Sequence, residues 1–193
     1  VYKRFHKDSY TTFVVSRNHL NNEAVKYFNN EELPENLLFN YQSQEIENKL
    51  RLENTVRKNN WKINYGAGTE FVHYKNDTYQ KLADSITINY SSRLSFIKYG
   101  IFGQASNTFL NNKLTLSVGA RLDANTFNHE MTNPLNQFSP RFSASYSLND
   151  KWSLNFNTGL FNQLPAYTVL GYQNTNGDFI NKNAKYMDAA HFV

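Results

Sequence analysis

The chain has 193 residues, no cysteine and a formal net charge of +4. The absence of cysteine excludes a disulfide scaffold, a cysteine-based metal site and a cysteine nucleophile. Lysine and arginine are mixed with aspartate and glutamate, so no basic stripe for nucleic acid is present, and an aromatic content of 16% argues against disorder.

Apolar and polar residues alternate with a period of two along much of the chain, which predicts β-strands with one apolar and one polar face. Strands that face lipid on one side and a wet lumen on the other have this pattern in transmembrane β-barrels. Short polar turns separate the strands and are predicted at 6–9, 58–60, 111–113 and 149–151.

Longer Asn-rich connections alternate with these turns and are predicted at 17–43, 74–93, 125–136 and 162–188. Outer-membrane barrels have short periplasmic turns and long extracellular loops, so the alternation assigns a direction to each strand. Outward-running strands are predicted at 10–16, 61–73, 114–124 and 152–160. Returning strands are predicted at 45–57, 99–107 and 138–147.

Three local features modify this assignment of strands and loops. Ile101 and Phe102 have opposite parity, which predicts a β-bulge. Ile86, Ile88 and Tyr90 alternate ahead of the 99–107 strand, so that strand is expected to begin earlier. Residues 21–30 are predicted to form a short helix in a loop.

Four passages of the sequence are more distinctive than an alternation of apolar and polar residues would require. They read YGIFGQAS at 99–106, LTLSVGARLD at 114–123, FSPRFS at 138–143 and LPAY at 164–167. These passages resemble the barrel of TonB-dependent receptors, especially the receptors of Bacteroidetes.

The resemblance implies an all-β fold, an antiparallel transmembrane β-barrel of 22 strands that is plugged by an N-terminal domain. The chain accounts for about eight strands and the start of a ninth. Residues 1–193 are therefore expected to be part of one β-barrel domain, with the plug domain and the remaining strands absent from this chain.

The function implied by the resemblance is nutrient uptake across the cell outer membrane, with no enzymatic activity. The implied partners are outer-membrane lipid, the plug domain and TonB, a surface lipoprotein, and a small-molecule, glycan or peptide nutrient; nucleic acid is not expected. Two alternatives stay open: a small complete barrel with a structural or adhesion role, and an enzyme built in a barrel.

Candidate substrate-binding residues fall into two groups. Arg121 and Asp123 lie on the polar face of one predicted strand, and Arg141 lies on that of the next. They either contact a polar or anionic substrate or form a charge ladder between plug and wall, and the ladder is favoured because large barrels commonly carry inward charges. The second group, chosen by position in a loop, is Tyr167, Tyr172 and Asn174.

Metal and cofactor sites are not predicted. The five histidines are far apart and none has a ligand spacing such as HxxxH. No phosphate-binding loop or nucleophile elbow is present. Trp61 and Trp152 follow matching turns on the apolar face, which favours a place in an interfacial aromatic belt.

Overall fold

A computed structural model describes residues 1–83, 86–174 and 176–192. They form one nine-stranded antiparallel sheet in which each strand pairs with the next along the chain, with β1 and β9 at its two edges. The strands are β1 (Tyr2–Phe5), β2 (Ser9–Tyr27), β3 (Leu37–Lys58), β4 (Trp61–Ala83), β5 (Ile86–Phe109), β6 (Leu114–Asn125), β7 (Ser139–Asn149), β8 (Trp152–Gln163) and β9 (Met187–Phe192). The prediction of an all-β antiparallel fold is confirmed.

The short turns lie where the sequence places them, all at one end of the sheet, which we call the short-turn end. β3 and β4 are joined by Asn59 and Asn60 alone, and Asn59 has a φ of 53°, a left-handed conformation that asparagine tolerates. In the β7–β8 turn, Asn149 Oδ1 accepts hydrogen bonds from the backbone N–H groups of Lys151 and Trp152, at 2.9 and 3.0 Å.

Two of the predicted long connections are wrong. Most of 17–43 and of 74–93 is strand, because β2, β3, β4 and β5 extend far past their predicted ends. The predicted helix at 21–30 is also wrong, since β2 continues to Tyr27 and only Phe28–Asn30 forms a 3-10 turn, followed by a second at Pro34–Asn36. The earlier start of β5, at Ile86, is confirmed.

The connections after β6 and β8 do form loops at the opposite, loop end of the sheet. The β6–β7 loop contains the 3-10 turns Glu130–Thr132 and Pro134–Gln137, and the β8–β9 loop contains the short helix α1 (Tyr167–Leu170). Among the residues that the structure describes, no helix is long and apolar enough to cross a membrane.

The sheet has an inner face, which carries most charged side chains and is covered in part by these loops, and an outer face that is open. Toward the short-turn end, the outer face carries a continuous set of exposed apolar side chains that we call the apolar band. Its members include Phe13, Val15, Leu50, Leu52, Trp61, Ile63, Tyr65, Phe71, Ile97, Tyr99, Ile101, Val118, Phe142, Tyr146, Leu154 and Phe156.

The height of the apolar band fits a membrane. On β4 it runs from Trp61 to Phe71, which is roughly 33 Å along the strand at the rise of a β-strand. With the tilt of about 40° usual in transmembrane barrels, this corresponds to about 25 Å along the membrane normal, the apolar height expected of such barrels. β4 continues twelve residues beyond the band, to Ala83.

Beyond the band the two faces exchange character. The outer face becomes polar, with His73 and Lys75 following Phe71. The inner face becomes apolar and packs against the two loops, forming an inner core. The buried members of this inner core are Val72, Tyr74, Leu94, Phe96, Met131 and Leu170.

The exchange occurs without a shift in register. β4 and β5 pair regularly from Trp61↔Asn107 to Lys81↔Thr87, and the irregularity lies between Lys81 and Ala83. The predicted bulge at Ile101 and Phe102 is therefore wrong. Phe102 lies on the inner face, opposite Gly66, where its ring contacts Arg51.

Candidate functional site on the inner face

Glycines on the inner face make room for large side chains on the neighbouring strands. A Cβ at Gly66 would lie 2.8 Å from the ring of Phe102, and one at Gly100 would lie 2.9 Å from the backbone oxygen of Leu122 and closer still to the Asp123 carboxylate. A Cβ at Gly159 would lie 3.2 Å from Cγ of Arg141. The alternation of large and small residues across strands thus shapes the wall of the site.

Four charged side chains form a compact group on three strands, here called the charge cluster: Glu47 and Lys49 on β3, Glu70 on β4 and Lys98 on β5. Lys98 Nζ lies 2.9 Å from Glu47 Oε1 and 2.8 Å from Glu70 Oε2. Lys49 Nζ lies 2.7 Å from Glu47 Oε2 and 3.5 Å from Glu70 Oε2. Two ammonium groups and two carboxylates alternate, so the cluster compensates its own charge and its half-buried ions are paired.

Tyr167 of α1 connects the β8–β9 loop to the charge cluster. Its hydroxyl donates a hydrogen bond to Glu47 Oε1, and its ring lies 5.4 Å from Lys98 Nζ. Burial and the hydrogen bond to the Glu47 carboxylate raise the pKa of Tyr167 above its usual value of 10. The phenol therefore stays protonated over the physiological range and acts as a donor.

The inner core holds the rest of this loop in place. The Phe96 ring lies 5.7 Å from the Tyr167 ring and 6.1 Å from the Phe127 ring, both in edge-on contacts. Such aromatic pairs add to the free energy gained by burial. Asn128 Nδ2 also donates to the backbone oxygen of Ala184 at 2.7 Å, which joins the β6–β7 and β8–β9 loops to each other.

Toward the short-turn end, three arginines line a cleft of about 430 Å³: Arg51, Arg121 and Arg141. Arg121 Nε lies 2.6 Å from Asp123 Oδ2, so this guanidinium is already paired. Arg51 is paired with Glu53 and lies 5.0 Å from the centre of the Phe102 ring.

Arg141 differs from the other two arginines in the cleft. Its guanidinium carbon lies 4.7 Å from the centre of the Phe161 ring, a cation–π contact. Within the part of the chain that the structure describes, no ion pair involves Arg141. Among the described residues its guanidinium N–H groups are therefore not held by a carboxylate, so they can donate to an incoming group.

The sequence-predicted site residues therefore separate into two places. Arg121, Asp123 and Arg141 lie on the inner wall, where Arg121 and Asp123 form an ion pair with each other. Tyr167 lies at the charge cluster, where it contacts Glu47 and Lys98 and holds the loop against the sheet.

The other two predicted loop residues lie nearer the tip of the β8–β9 loop. Tyr172 packs edge-on against Tyr90 at 5.6 Å and is 44% exposed. Asn174 Oδ1 accepts from the backbone N–H groups of Asn176 and Asp178, each at 2.9 Å. Asn174 thus orders the tip of the loop, and Tyr172 is the more accessible of the two.

Several residues of this face are not identified by the sequence pattern. Glu70 and Lys98 complete the charge cluster, and Phe161 supports Arg141. The signal for Glu70 and Lys98 was parity, since both share the inner-face parity of their strands. Their partners on β3, and the Tyr167 ring in the loop that contacts Lys98, are too far away in the sequence for a local pattern to reveal these contacts.

Among residues 1–83, 86–174 and 176–192, no group of three or more metal-ligating side chains is present. In comparisons with known proteins, the family model for the TonB dependent receptor-like β-barrel matches residues 2–185. No curated protein and no solved structure matches the chain.

Proposed function

The chain belongs to the TonB-dependent receptor-like β-barrel family, and from that premise we propose that it forms wall and extracellular loops of an outer-membrane transporter for nutrient uptake. Members of this family are outer-membrane transporters rather than enzymes. The observation that carries the proposal is the family match over residues 2–185. An apolar band of about 25 Å on the outer face supports it.

The proposed orientation follows from the two ends of the sheet. The short-turn end is periplasmic, and the loop end is extracellular. The inner face then lines the lumen, where membership of the family implies a plug domain and, through it, energy coupling by TonB. A surface lipoprotein that covers the loop end, and a Bacteroidetes type of receptor, remain parts of the proposal.

For the lumen wall we propose that Arg141 contacts a polar or anionic group of the nutrient. The support is its position in the cleft, its stacking on Phe161 and its lack of an ion pair within the described ranges. Arg121 and Asp123 contribute indirectly, because their ion pair holds both side chains in position next to Arg141.

At the extracellular mouth we propose Tyr172 as the residue that meets the nutrient, because its ring is partly exposed near the tip of the loop. Tyr167 and Asn174 act less directly. Tyr167 fixes the base of the loop on Glu47, and Asn174 fixes its tip, so each would position Tyr172.

The proposal of uptake is tested with the complete gene in its own host. A deletion strain, a complemented strain and a strain without TonB are grown on limiting iron chelates, vitamins, oligosaccharides or peptides as separate series. We expect one nutrient class whose use is lost in both the deletion strain and the TonB-deficient strain and is restored by complementation. Equal growth of all strains on every series would overturn it.

The lumen assignment is tested with Arg141→Gln in the same complemented strain. Loss of a charged hydrogen bond to the nutrient is expected to raise the half-saturating concentration by about 10-fold or more. The matched control is Lys151→Gln, which removes the same charge at an exposed position in the β7–β8 turn. Equal effects of the two variants would remove Arg141 from the nutrient path.

A small complete barrel with a structural or adhesion role is the first of the two alternatives that the sequence leaves open. The described strands give no observation in its favour, since β1 and β9 are the edges of an open sheet. For an enzyme built in a barrel, the second alternative, the residues that the structure describes contain no group of three or more metal-ligating side chains that would support a metal-dependent site.

A further inference from the structure

Basic side chains gather on the outer face at the edge of the apolar band and directly beyond it. They are Arg17 and His19 on β2, His73 and Lys75 on β4, and Arg93 on β5, and we call this set the basic rim. The register of the sheet places them in three successive rows of outward-facing positions, which lead from Arg17 through His19 and His73 to Lys75 and Arg93. Arg17, His19, His73 and Arg93 are exposed and Lys75 is half-exposed.

No acidic side chain of β2–β5 shares these three rows of the outer face. The other outward positions in the rows are Asn48, Ile46, Ser95, Asn21 and Gln44, besides the apolar pair of the first row. Acidic residues return only in the next row, with Glu23 and Asp77. On the same strand segments Glu45 and Glu47 point to the inner face, so the sheet separates its charges by side.

Lys75 and Arg93 form the row of the basic rim that is farthest from the apolar band, and they are direct cross-strand partners. Like charges opposite each other in an antiparallel pair are destabilising. Lys75 is relieved in part by Asp77, at 3.5 Å, whereas Arg93 has no ion pair within the described ranges. An anion between the two cations would remove this repulsion.

The distance from the apolar band identifies the kind of anion. The last apolar pair is Phe71↔Ile97, and Lys75↔Arg93 lies two rows further out. Four residues span roughly 13 Å along a strand, or about 10 Å along the normal at the usual tilt. The headgroup layer extends about 5 to 8 Å beyond the hydrocarbon, and long basic side chains reach back toward it.

We propose that the basic rim is a binding site for the phosphate groups of outer-leaflet lipids, with Lys75 and Arg93 holding one phosphate between them. The acyl chains of the same lipid then lie against the apolar band at Phe71 and Ile97. This site lies on the opposite face from the proposed nutrient path and does not depend on the nutrient. It requires only that the sheet be embedded with its loop end outward.

The test uses the full-length protein, purified in detergent, with lipid A bearing two phosphates as the probe and its dephosphorylated form as the comparison. Native mass spectrometry measures the dissociation constant of each at fixed ionic strength. The double variant Lys75→Gln/Arg93→Gln is expected to bind the phosphorylated lipid about 10-fold more weakly and the dephosphorylated lipid unchanged. Lys151→Gln, which removes a charge from the exposed β7–β8 turn at the opposite end of the sheet, is the matched control and is expected to bind both lipids as the unaltered protein does.

Two further arms distinguish a lipid site from a site for free anions and guard against misfolding. Inorganic phosphate at millimolar concentration is expected not to displace the lipid, because it lacks acyl chains to lie on the apolar band; full displacement would mean a site for free anions and overturn the proposal. Equal affinity of the double variant and the unaltered protein would overturn it as well. The single variants Lys75→Gln and Arg93→Gln, each expected to weaken binding about 3-fold to 5-fold, replace the double variant if it does not fold.

Discussion

The two halves of the sheet use the same alternation for opposite purposes. In the half near the short-turn end, apolar side chains such as Ile63 and Val118 lie on the outer face, and polar ones such as Ser117 lie inside. In the half near the loop end, Tyr74 and Phe96 lie inside and His73 lies outside. The difference follows from what each face meets: lipid outside and water inside in the first half, water outside and packed loops inside in the second.

A period of two reveals that the two faces differ, but it does not identify which face meets lipid, water or the rest of the protein. On β4 the apolar parity changes between Phe71 and Val72 while the pairing with β5 continues without interruption. A change of parity can thus mark the edge of a membrane rather than a bulge or the end of a strand.

The largest expected effect comes from the inner core. Phe96→Ala removes a buried ring that contacts Tyr167 and Phe127 and should cost about 3 to 5 kcal/mol of unfolding free energy, with increased hydrogen exchange of the Leu170 and Gly171 amides. The matched control is Phe71→Ala, on the outer face of the neighbouring strand and 45% exposed. It should cost less, since lipid chains close around the smaller side chain; equal losses would contradict the exchange of faces.

The second prediction concerns the apolar band. Val118→Arg places a charge at a position that is 62% exposed on the outer face and should cost roughly 2 to 4 kcal/mol in lipid vesicles. Ser117→Arg, one residue away on the inner face, should cost only about 1 kcal/mol through the loss of the 2.7 Å contact with Ser106. Denaturant unfolding in phospholipid vesicles measures both, and a reversed order would mean that the faces are wrongly assigned.

The third prediction tests how the β8–β9 loop is held. Tyr167→Phe removes the hydrogen bond to the Glu47 carboxylate and should weaken loop docking by about 1.5 to 3 kcal/mol. Hydrogen exchange at the Leu170 and Gly171 amides, which bond to Ala166 and Tyr167, would measure this. Tyr172→Phe is the control, because Tyr172 packs on Tyr90 through its ring, which the variant keeps; a comparable effect there would mean that the Tyr167 hydroxyl does not fix the loop.

The smallest effect is expected at the tip of the same loop. Gly177 has a φ of +83° and open space around its Cα, so Gly177→Ala should cost about 1 kcal/mol from backbone strain alone. Gly103, on the lipid side of β5, also has open space but no positive φ. Gly103→Ala should be neutral or slightly stabilising by thermal unfolding, and a loss there equal to that of Gly177→Ala would refute strain as the cause.

Strand boundaries could be predicted well near the short-turn end. β6, predicted at 114–124, runs over Leu114–Asn125, and β8, predicted from residue 152, begins at Trp152. Asparagine-rich turns and a strong contrast between lipid and lumen give clear signals there. The prediction of a loop at 74–93 fails because the apolar residues of this region have the opposite parity and its outer face is polar.

The candidate site was predicted only in part. Arg121 and Asp123 could be placed on one face because residues two apart on a strand share a side, and Arg141 because it has the polar parity of the next predicted strand. The contact of Tyr167 with Glu47 could not be foreseen, since 120 residues separate the two and it depends on how the loop folds back over β3, β4 and β5.

Local alternation and short turns are enough to assign the class of fold, the family resemblance and the two-sided wall from the amino-acid sequence. Tertiary structure alone decided the length of β2–β5, the inner core beneath the loops, the charge cluster and the basic rim. These features depend on which strands pair and in what register, and on whether each face meets lipid, water or loops along the height of the sheet. A local sequence pattern contains none of this information.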